Sequence, residues 1–174
     1  MINAIRGDKN PDMIRKANIE DIKTIHAMLK YYGDKGKLLA RPLSLLYDHV
    51  RDFSVFVDPA TNQIAGCCAL QFCWEDLAEV RSLAVVENRQ AEGIGTRLIE
   101  TAFKEARQFK IKKLFTLTYE LDFFKKFGFT VIDRSELPLK IWADCIHCVK
   151  FPDCDEIAML KILESPNEKS FPQE

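Results

Sequence analysis

Residues 90–96 read Gln-Ala-Glu-Gly-Ile-Gly-Thr, with Gly93 and Gly95 one residue apart, just after the apolar run Leu-Ala-Val-Val and just before an amphipathic stretch. Glycine costs conformational entropy, and Gly95 stands where a helix should already be running. The first N–H groups of a helix have no partner inside it, and the aligned peptide dipoles leave partial positive charge there. Removing side chains lets an anion approach those donors, which is the physical basis of a pyrophosphate site. The stretch lacks the Lys-Ser/Thr pair of a P-loop and the third glycine of a dinucleotide fingerprint, and it follows several strands instead of the first. On spacing alone, a tight start to a helix with no ligand fits as well.

A second cluster with chemical potential is Cys145-Ile-His147-Cys148, followed by Cys154. Three thiols and an imidazole are zinc-type donors. A zinc ribbon uses two paired knuckles, whereas this stretch has one pair and a single cysteine, and His147 is too close to both Cys145 and Cys148 to join them easily in one tetrahedron. No metal is expected; reduced cysteines packing a substrate-side loop account for the pattern. Lys140, Trp142 and Lys150 stand nearby, but the sequence does not position them. Cys67, Cys68 and Cys73 lie in an apolar, strand-like stretch and behave as small buried hydrophobes.

The elements that must position these residues follow from periodicity and turn signals. A loose arm (1–12) precedes a short strand (13–17). Asn18 caps a helix with Asp21 in its first turn, and Ile22, Ile25, Met28 and Leu29 fall on one face. Residues 31–41 read as a loop. Pro42 opens a second helix with Leu45, Leu46, His49 and Val50 on its buried side. Three strands follow in a row (54–58, 64–72, 77–85), then the glycine turn and a helix (96–109) with Leu98, Ile99, Ala102, Phe103 and Ala106 on one face. A strand (112–119) comes next, then a short helix closed by Gly128, a strand from Phe129, a last strand (156–163) and a polar tail (164–174). Hairpin strands first and strand-helix-strand units after them make this an α+β chain: a single domain over 13–163 with a mixed sheet.

Composition narrows the classes. The chain has 174 residues, 47% of them hydrophobic and a formal net charge of −1, which gives no electrostatic case for nucleic acid or an anionic membrane. The N-terminus lacks the apolar segment of a secretory signal, and no apolar run approaches the ~20 residues of a membrane span, so the expected location is the cytoplasm.

The Gln90-to-Gly95 segment resembles the Gln/Arg-x-x-Gly-x-Gly/Ala motif of the acyl-CoA-dependent N-acetyltransferase superfamily (GNAT). Its context is similar too: Leu-Ala-Val before it, an amphipathic helix after it, then a strand and Phe-Phe-Lys-Lys-Phe-Gly-Phe (123–129), which resembles the superfamily's Phe-Tyr-x-x-Phe-Gly-Phe box. The segments at 41–53, 66–85 and 142–160 look like stand-alone amino-acid acetyltransferases similar to N-acetylglutamate synthase; the amino-acid-kinase-like domain of longer synthases has no room in 174 residues. The resemblance implies a mostly antiparallel sheet flanked by helices, with a splayed central strand pair. It implies acetyl-CoA as co-substrate, with acetyl passing to the α-amino group of an amino acid, L-glutamate first, as in arginine biosynthesis. Other acceptors compatible with it are another small-molecule or protein amine, and a third possibility is a catalytically weak CoA- or metal-binding regulatory module. A homodimer is compatible with the family.

By the same resemblance, the backbone amides of Gln90, Ala91, Glu92, Gly93, Ile94, Gly95 and Thr96 hold the pyrophosphate, and Leu83, Ala84 and Val85 pair with the pantetheine arm like an extra strand. An amine arriving as ammonium needs a general base. Glu79, where the superfamily often has a carboxylate, is the candidate; a period of two puts it on one face with Arg81 and Leu83, and the alternative is a plain ion pair with Arg81 on a solvated face. The tyrosine that usually protonates the thiolate is Phe124 here, a departure that leaves Phe124 to contact the cofactor and Tyr119 as the nearest substitute acid; as an alternative, Tyr119 is a half-buried strand aromatic. A dicarboxylate acceptor needs cations, and Arg41 and Arg81 are the candidates.

Overall fold

The structure, a computed structural model, describes residues 13–139, 141, 148, 150 and 152–163. Cys145 and His147 of the possible zinc cluster, with Lys140 and Trp142, lie outside the described residues, as do the arm and the tail. The elements run β1 (Ile14–Lys16), α1 (Ile22–Asp34), α2 (Leu43–Asp48), β2 (Phe53–Val57), β3 (Ile64–Phe72), β4 (Leu77–Val85), α3 (Ile94–Gln108), β5 (Lys113–Thr118), α4 (Leu121–Lys125), β6 (Thr130–Val131) and β7 (Ile157–Ile162).

The seven strands form one sheet in the order β1-β2-β3-β4-β5-β7-β6. Every pairing is antiparallel except β4 with β5, joined through α3 by the long crossover that parallel strands require. That pair is in register only at Leu77–Lys113, Ala78–Leu114 and Glu79–Phe115. Beyond Glu79 the two strands run on to Val85 and Thr118 without pairing. This is the splay that the family resemblance implies.

Two layers cover the sheet. On one face α3 buries Leu98, Ile99 and Ala102 against Phe56, Val80, Leu114 and Met159. On the other, α1 buries Ile22, Ile25 and Leu29 against Val55, Cys67 and Ala69. Each fully buried aliphatic side chain contributes about 1.5–3 kcal/mol relative to exposure, so these stripes fix where the helices lie. Cys67, Cys68 and Cys73 are buried and not in disulfides; burial pushes the Cys67 thiol up to about 12. The Asn18 cap is present: its Oδ1 accepts from the Glu20 and Asp21 amides, Asp21 Oδ2 accepts from the Asn18 amide, and Arg15 grips the Asp21 carboxylate at 2.6 Å and 3.0 Å.

Two local expectations change. The stretch from Tyr31 is not loop: α1 continues to Asp34 because Tyr32 is core and Gly33 lets the returning chain approach, a Cβ there standing 2.8 Å from the Ala40 Cβ. In α2 only Leu46 is buried; the helix stops at Asp48, His49 pairs with Asp52 at 3.0 Å, and Leu45 turns to a cavity.

Candidate active site

The divergence of β4 and β5 opens a cavity of about 660 Å³ at their C-terminal ends, a size typical of small-molecule sites. Its floor is β4. At Ser82 this strand bulges: φ is +54° and the register with β3 slips between Cys67–Ala84 and Ala69–Arg81. The extra residue breaks the period of two. Glu79 and Arg81 stay on one face, while Leu83 joins Ala78 and Val80 on the α3 face, contrary to the strict alternation expected from sequence. Beyond Glu79 the β4 edge facing β5 has no strand partner, and Leu83, Ala84 and Val85 line the cavity along it. The Val85 carbonyl is already engaged, accepting from the Tyr32 hydroxyl and, at 3.2 Å, from Gln90 Nε2.

At one end the cavity meets the start of α3. Ala91 and Gly93 both adopt left-handed backbone, at φ +63° and +79°. Alternating the hand of successive residues turns backbone amides toward a common point, the geometry of an anion-binding nest. A Cβ at Gly93 would meet nothing within 4 Å and so faces open space, whereas one at Gly95 would stand in ordinary contact with Phe123 and Val85 from 3.5 Å. Gln90, Ala91, Gly93, Ile94, Gly95 and Thr96 all line the cavity. Glu92 is not among the lining residues; its carboxylate accepts from Arg89 Nε at 2.7 Å, which leaves the expected role of its backbone amide untouched. Tyr32, which sequence did not single out, braces the turn by accepting from Gln90 Nε2 at 2.8 Å. Cations on the cavity wall (Lys37, Arg41, Arg81, Arg89, Lys126, Arg134) outnumber Glu79, Glu120 and Glu156, which suits a polyanionic ligand.

At the other end stand the candidate chemical groups. Glu79 and Arg81 pair at 3.4 Å, each side chain only 9% exposed. The pair exists, but in a buried cavity wall and not on the solvated face of the alternative reading. Arg81 Nη2 is buried with no hydrogen-bond partner among the described residues. Arg41 reaches the same cavity from the segment between α1 and α2. The Tyr119 hydroxyl donates to Asp155 Oδ1 at 2.6 Å and accepts from Lys150 Nζ at 2.7 Å. Burial and the bond to Asp155 raise the Tyr119 pKa against the opposing pull of Lys150, while Lys150 and Tyr119 hold Asp155 down at about 2. Tyr119 therefore stays protonated, with its proton directed at Asp155. Phe124 packs edge-on against Phe123 and Phe129 and offers the cavity an apolar wall with no proton.

Glu156, Arg134, Cys148 and Cys154 also line the cavity. Arg134 Nη2 donates to the Glu156 carbonyl at 2.7 Å and to Cys154 Sγ at 3.3 Å. Burial raises Glu156 to about 7, against the cations Arg134, Arg41 and Lys150. Glu156 and Arg134 escaped sequence reading because neither carries a local motif.

A model described as the acetyltransferase (GNAT) family matches residues 22–129. The chain belongs to this family. An uncharacterized N-acetyltransferase of Chlorobaculum tepidum is 39% identical over 86% of this chain and 96% of its own length. An amino-acid acetyltransferase of Mycobacterium tuberculosis is 31% identical over 75% of each chain. Among solved structures, N-acetylglutamate synthase from Neisseria gonorrhoeae, complexed with coenzyme A and N-acetyl-glutamate, superposes with a TM-score of 0.75 at 28% identity over 87% of this chain; the chain spans about a third of that protein, 35%. A Mycobacterium tuberculosis protein in complex with CoA superposes with a TM-score of 0.74 at 28% identity, over 87% of this chain and 99% of that one. The protein is accordingly an acetyl-CoA-dependent N-acetyltransferase, and the left-handed turn at Ala91 and Gly93 and the cationic wall fit acetyl-CoA as its co-substrate. Among the described residues, no helix is long and apolar enough to cross a membrane.

Proposed function

We propose that this acetyltransferase moves acetyl from acetyl-CoA to the α-amino group of a free amino acid, with L-glutamate the first acceptor, by direct attack in a ternary complex. The observation that carries the reading is Arg81: its side chain is nine-tenths buried, it lines the cavity beside Glu79, and its Nη2 lacks an acceptor among the described residues. A buried guanidinium N–H without a partner is costly, and a bidentate carboxylate is the ligand that relieves it. Arg41 supplies a second cation for a second carboxylate. The names of the relatives, amino-acid acetyltransferase and N-acetylglutamate synthase, support the same acceptor class.

In this reading the amides from Gln90 to Thr96 grip the pyrophosphate at the start of α3, and the unpaired β4 edge at Leu83 and Ala84 hydrogen-bonds the pantetheine arm. Phe123 and Phe124 form its apolar wall. Glu79 takes the ammonium proton, and the freed amine attacks the thioester carbonyl. A backbone N–H at the splay stabilises the oxyanion. The tetrahedral intermediate collapses with loss of the CoA thiolate, whose intrinsic pKa of roughly 8.5, by analogy with a cysteine thiol, calls for little acid help. Tyr119 is the hydroxyl available for that proton once it turns from Asp155, and the Lys150 ammonium, which already donates to its oxygen, refills it, since Asp155 is ionised.

The test is thiol release from acetyl-CoA across the twenty amino acids and a few polyamines. Saturable activity on amino acids, and on L-glutamate among them, is expected. Activity confined to polyamines overturns the acceptor class; silence with intact CoA binding overturns catalysis on small amines altogether.

A further inference from the structure

The end of α1 touches the cofactor half of the site at two places. Lys35 pairs with Glu87 at 2.5 Å, but both side chains are substantially exposed, and an ion pair of that kind contributes little. Tyr32 differs. It is a core residue, only 5% exposed, and it also lines the cavity. Its hydroxyl spends its one proton on the Val85 carbonyl and accepts from Gln90 Nε2 at 2.8 Å, while Gln90 Nε2 reaches the same carbonyl at 3.2 Å. The three groups close a small ring of hydrogen bonds. The Val86 amide donates to Ala65 on β3, so the Val85 carbonyl points the other way, toward the edge of β4 that β5 leaves unpaired. From another layer of the fold, Tyr32 is thus bonded both to the last carbonyl of that edge and to the first side chain of the glycine turn. The residue after Gln90 needs such a hold: Ala91 keeps φ at +63° without being glycine, a conformation that persists only where the surroundings impose it.

We infer that Tyr32 is a positioning residue for acetyl-CoA: its hydroxyl clamps the end of β4 to the Gln90 side chain and so fixes the pyrophosphate turn relative to the edge that carries the pantetheine arm. The inference rests on the cofactor placement proposed above. Acetyl-CoA must engage the turn and the β4 edge at once, so a site that holds their spacing before the ligand arrives spares the ligand the cost of ordering it. Burial raises the Tyr32 pKa against the opposing pull of the Gln90 bond, so the hydroxyl keeps its proton for Val85. The Tyr32 backbone serves the other half of the site. Its carbonyl accepts from the Lys37 amide at 3.0 Å, where the cavity-lining segment from Lys37 to Arg41 begins. Side chain and backbone of one residue therefore support different halves, and a substitution that removes only the hydroxyl separates them.

Tyr32→Phe is that substitution: it keeps the buried ring and the backbone bond to Lys37. The measurements are calorimetric titration of CoA and the separate KM values of acetyl-CoA and of the acceptor amine. CoA Kd and the acetyl-CoA KM are expected to rise about tenfold, with the acceptor KM within about twofold of wild type. Gln90→Leu removes the carboxamide and leaves the amides of the turn in place. Gln90 is exposed, so this variant spares the core and keeps the inference testable if Tyr32→Phe is destabilised. It is expected to weaken CoA at least as much, and the double variant no further than Gln90→Leu alone, because both changes break the same bond. Unchanged CoA Kd in either single variant overturns the inference, as do additive losses in the double variant or an equal rise in both KM values. A lower Tm for Tyr32→Phe with CoA Kd unchanged reduces Tyr32 to packing. Gly95→Glu, titrated alongside, separates the two failures: if it too keeps its CoA affinity, the cofactor placement falls, and this inference with it.

Discussion

Alanine and glutamate at Gly95 together separate what the fold asks of this position from what the ligand asks. Gly95 is the second residue of α3 and does not have positive φ. A Cβ built there lies 3.5 Å from Phe123 Cζ and 3.8 Å from Val85 Cγ2, ordinary van der Waals contacts. Alanine is therefore accommodated without the ligand, and its helix propensity favours it over glycine by about 0.5–1 kcal/mol. For a domain of this size that is a rise in Tm of about 1–4 °C. For CoA the informative variant is Gly95→Glu, because the family motif itself admits alanine at this position. In the proposed reading the glutamate brings a side chain and a negative charge to the amides that hold the pyrophosphate, and losing one charge-assisted hydrogen bond there costs about 1.5–3 kcal/mol, at least tenfold in Kd. The assay is a thermal melt of the ligand-free protein together with calorimetric titration of CoA. Gly95→Ala is expected to melt higher and keep its CoA affinity, and Gly95→Glu to bind CoA at least tenfold more weakly. Unchanged CoA affinity in Gly95→Glu reduces the glycine turn to a tight helix start and refutes its anchoring role; a lowered Tm in Gly95→Ala refutes the steric argument. Gly93→Ala is the internal control, since φ of +79° penalises any side chain by about 1 kcal/mol even though its Cβ meets nothing; it is expected to melt lower.

Glu79→Gln should lower kcat by about 10²–10⁴, most strongly at low pH where the amine is protonated, with CoA affinity unchanged; full activity in steady-state assays removes Glu79 from the mechanism. Arg41→Ala should raise the acceptor KM about tenfold or more and leave the acetyl-CoA KM alone; if neither moves, the acceptor carboxylates bind elsewhere. Leu98→Ala, at a fully buried position between α3 and the sheet, should cost about 2–5 kcal/mol in urea unfolding, and a loss under 1 kcal/mol contradicts the packing described. The Arg15 guanidinium holds the Asp21 carboxyl below its ordinary value of 3.8, so Asp21 stabilises the fold above that pH and the contribution fades as pH falls through the lower, folded value. Asp21→Asn should accordingly be destabilised at pH 7, with the gap to wild type closing in strong acid; a gap that does not close assigns the effect to the cap geometry alone.

Much of the fold was legible because its signals are local. The apolar stripe of α3, the Asn18–Asp21 cap and the left-handed Gly128 each depend on neighbours within a few residues, and each is found where the pattern places it. The run past Tyr31 misled because a helix through Gly33 is held by contacts to Ala40 and Val85, which lie in other elements.

For the site, the sequence by itself determined the glycine turn, the carboxylate at Glu79 and the two arginines, since residue type and order suffice to mark them. Tertiary structure alone decided how they meet. Whether β4 keeps its period of two is settled by a bulge at Ser82, which depends on pairing with β3 and sends Leu83 to the α3 face. Whether Arg81 is solvated or buried depends on what covers the splay. Glu92, inside the motif, is not among the lining residues and has its carboxylate on Arg89, while Glu156, which carries no motif, reaches the cavity because β7 pairs antiparallel with β5 across the sheet. Motifs record what one segment can do; burial and charge at a site are sums over segments distant in the chain, and only the folded sheet performs that sum.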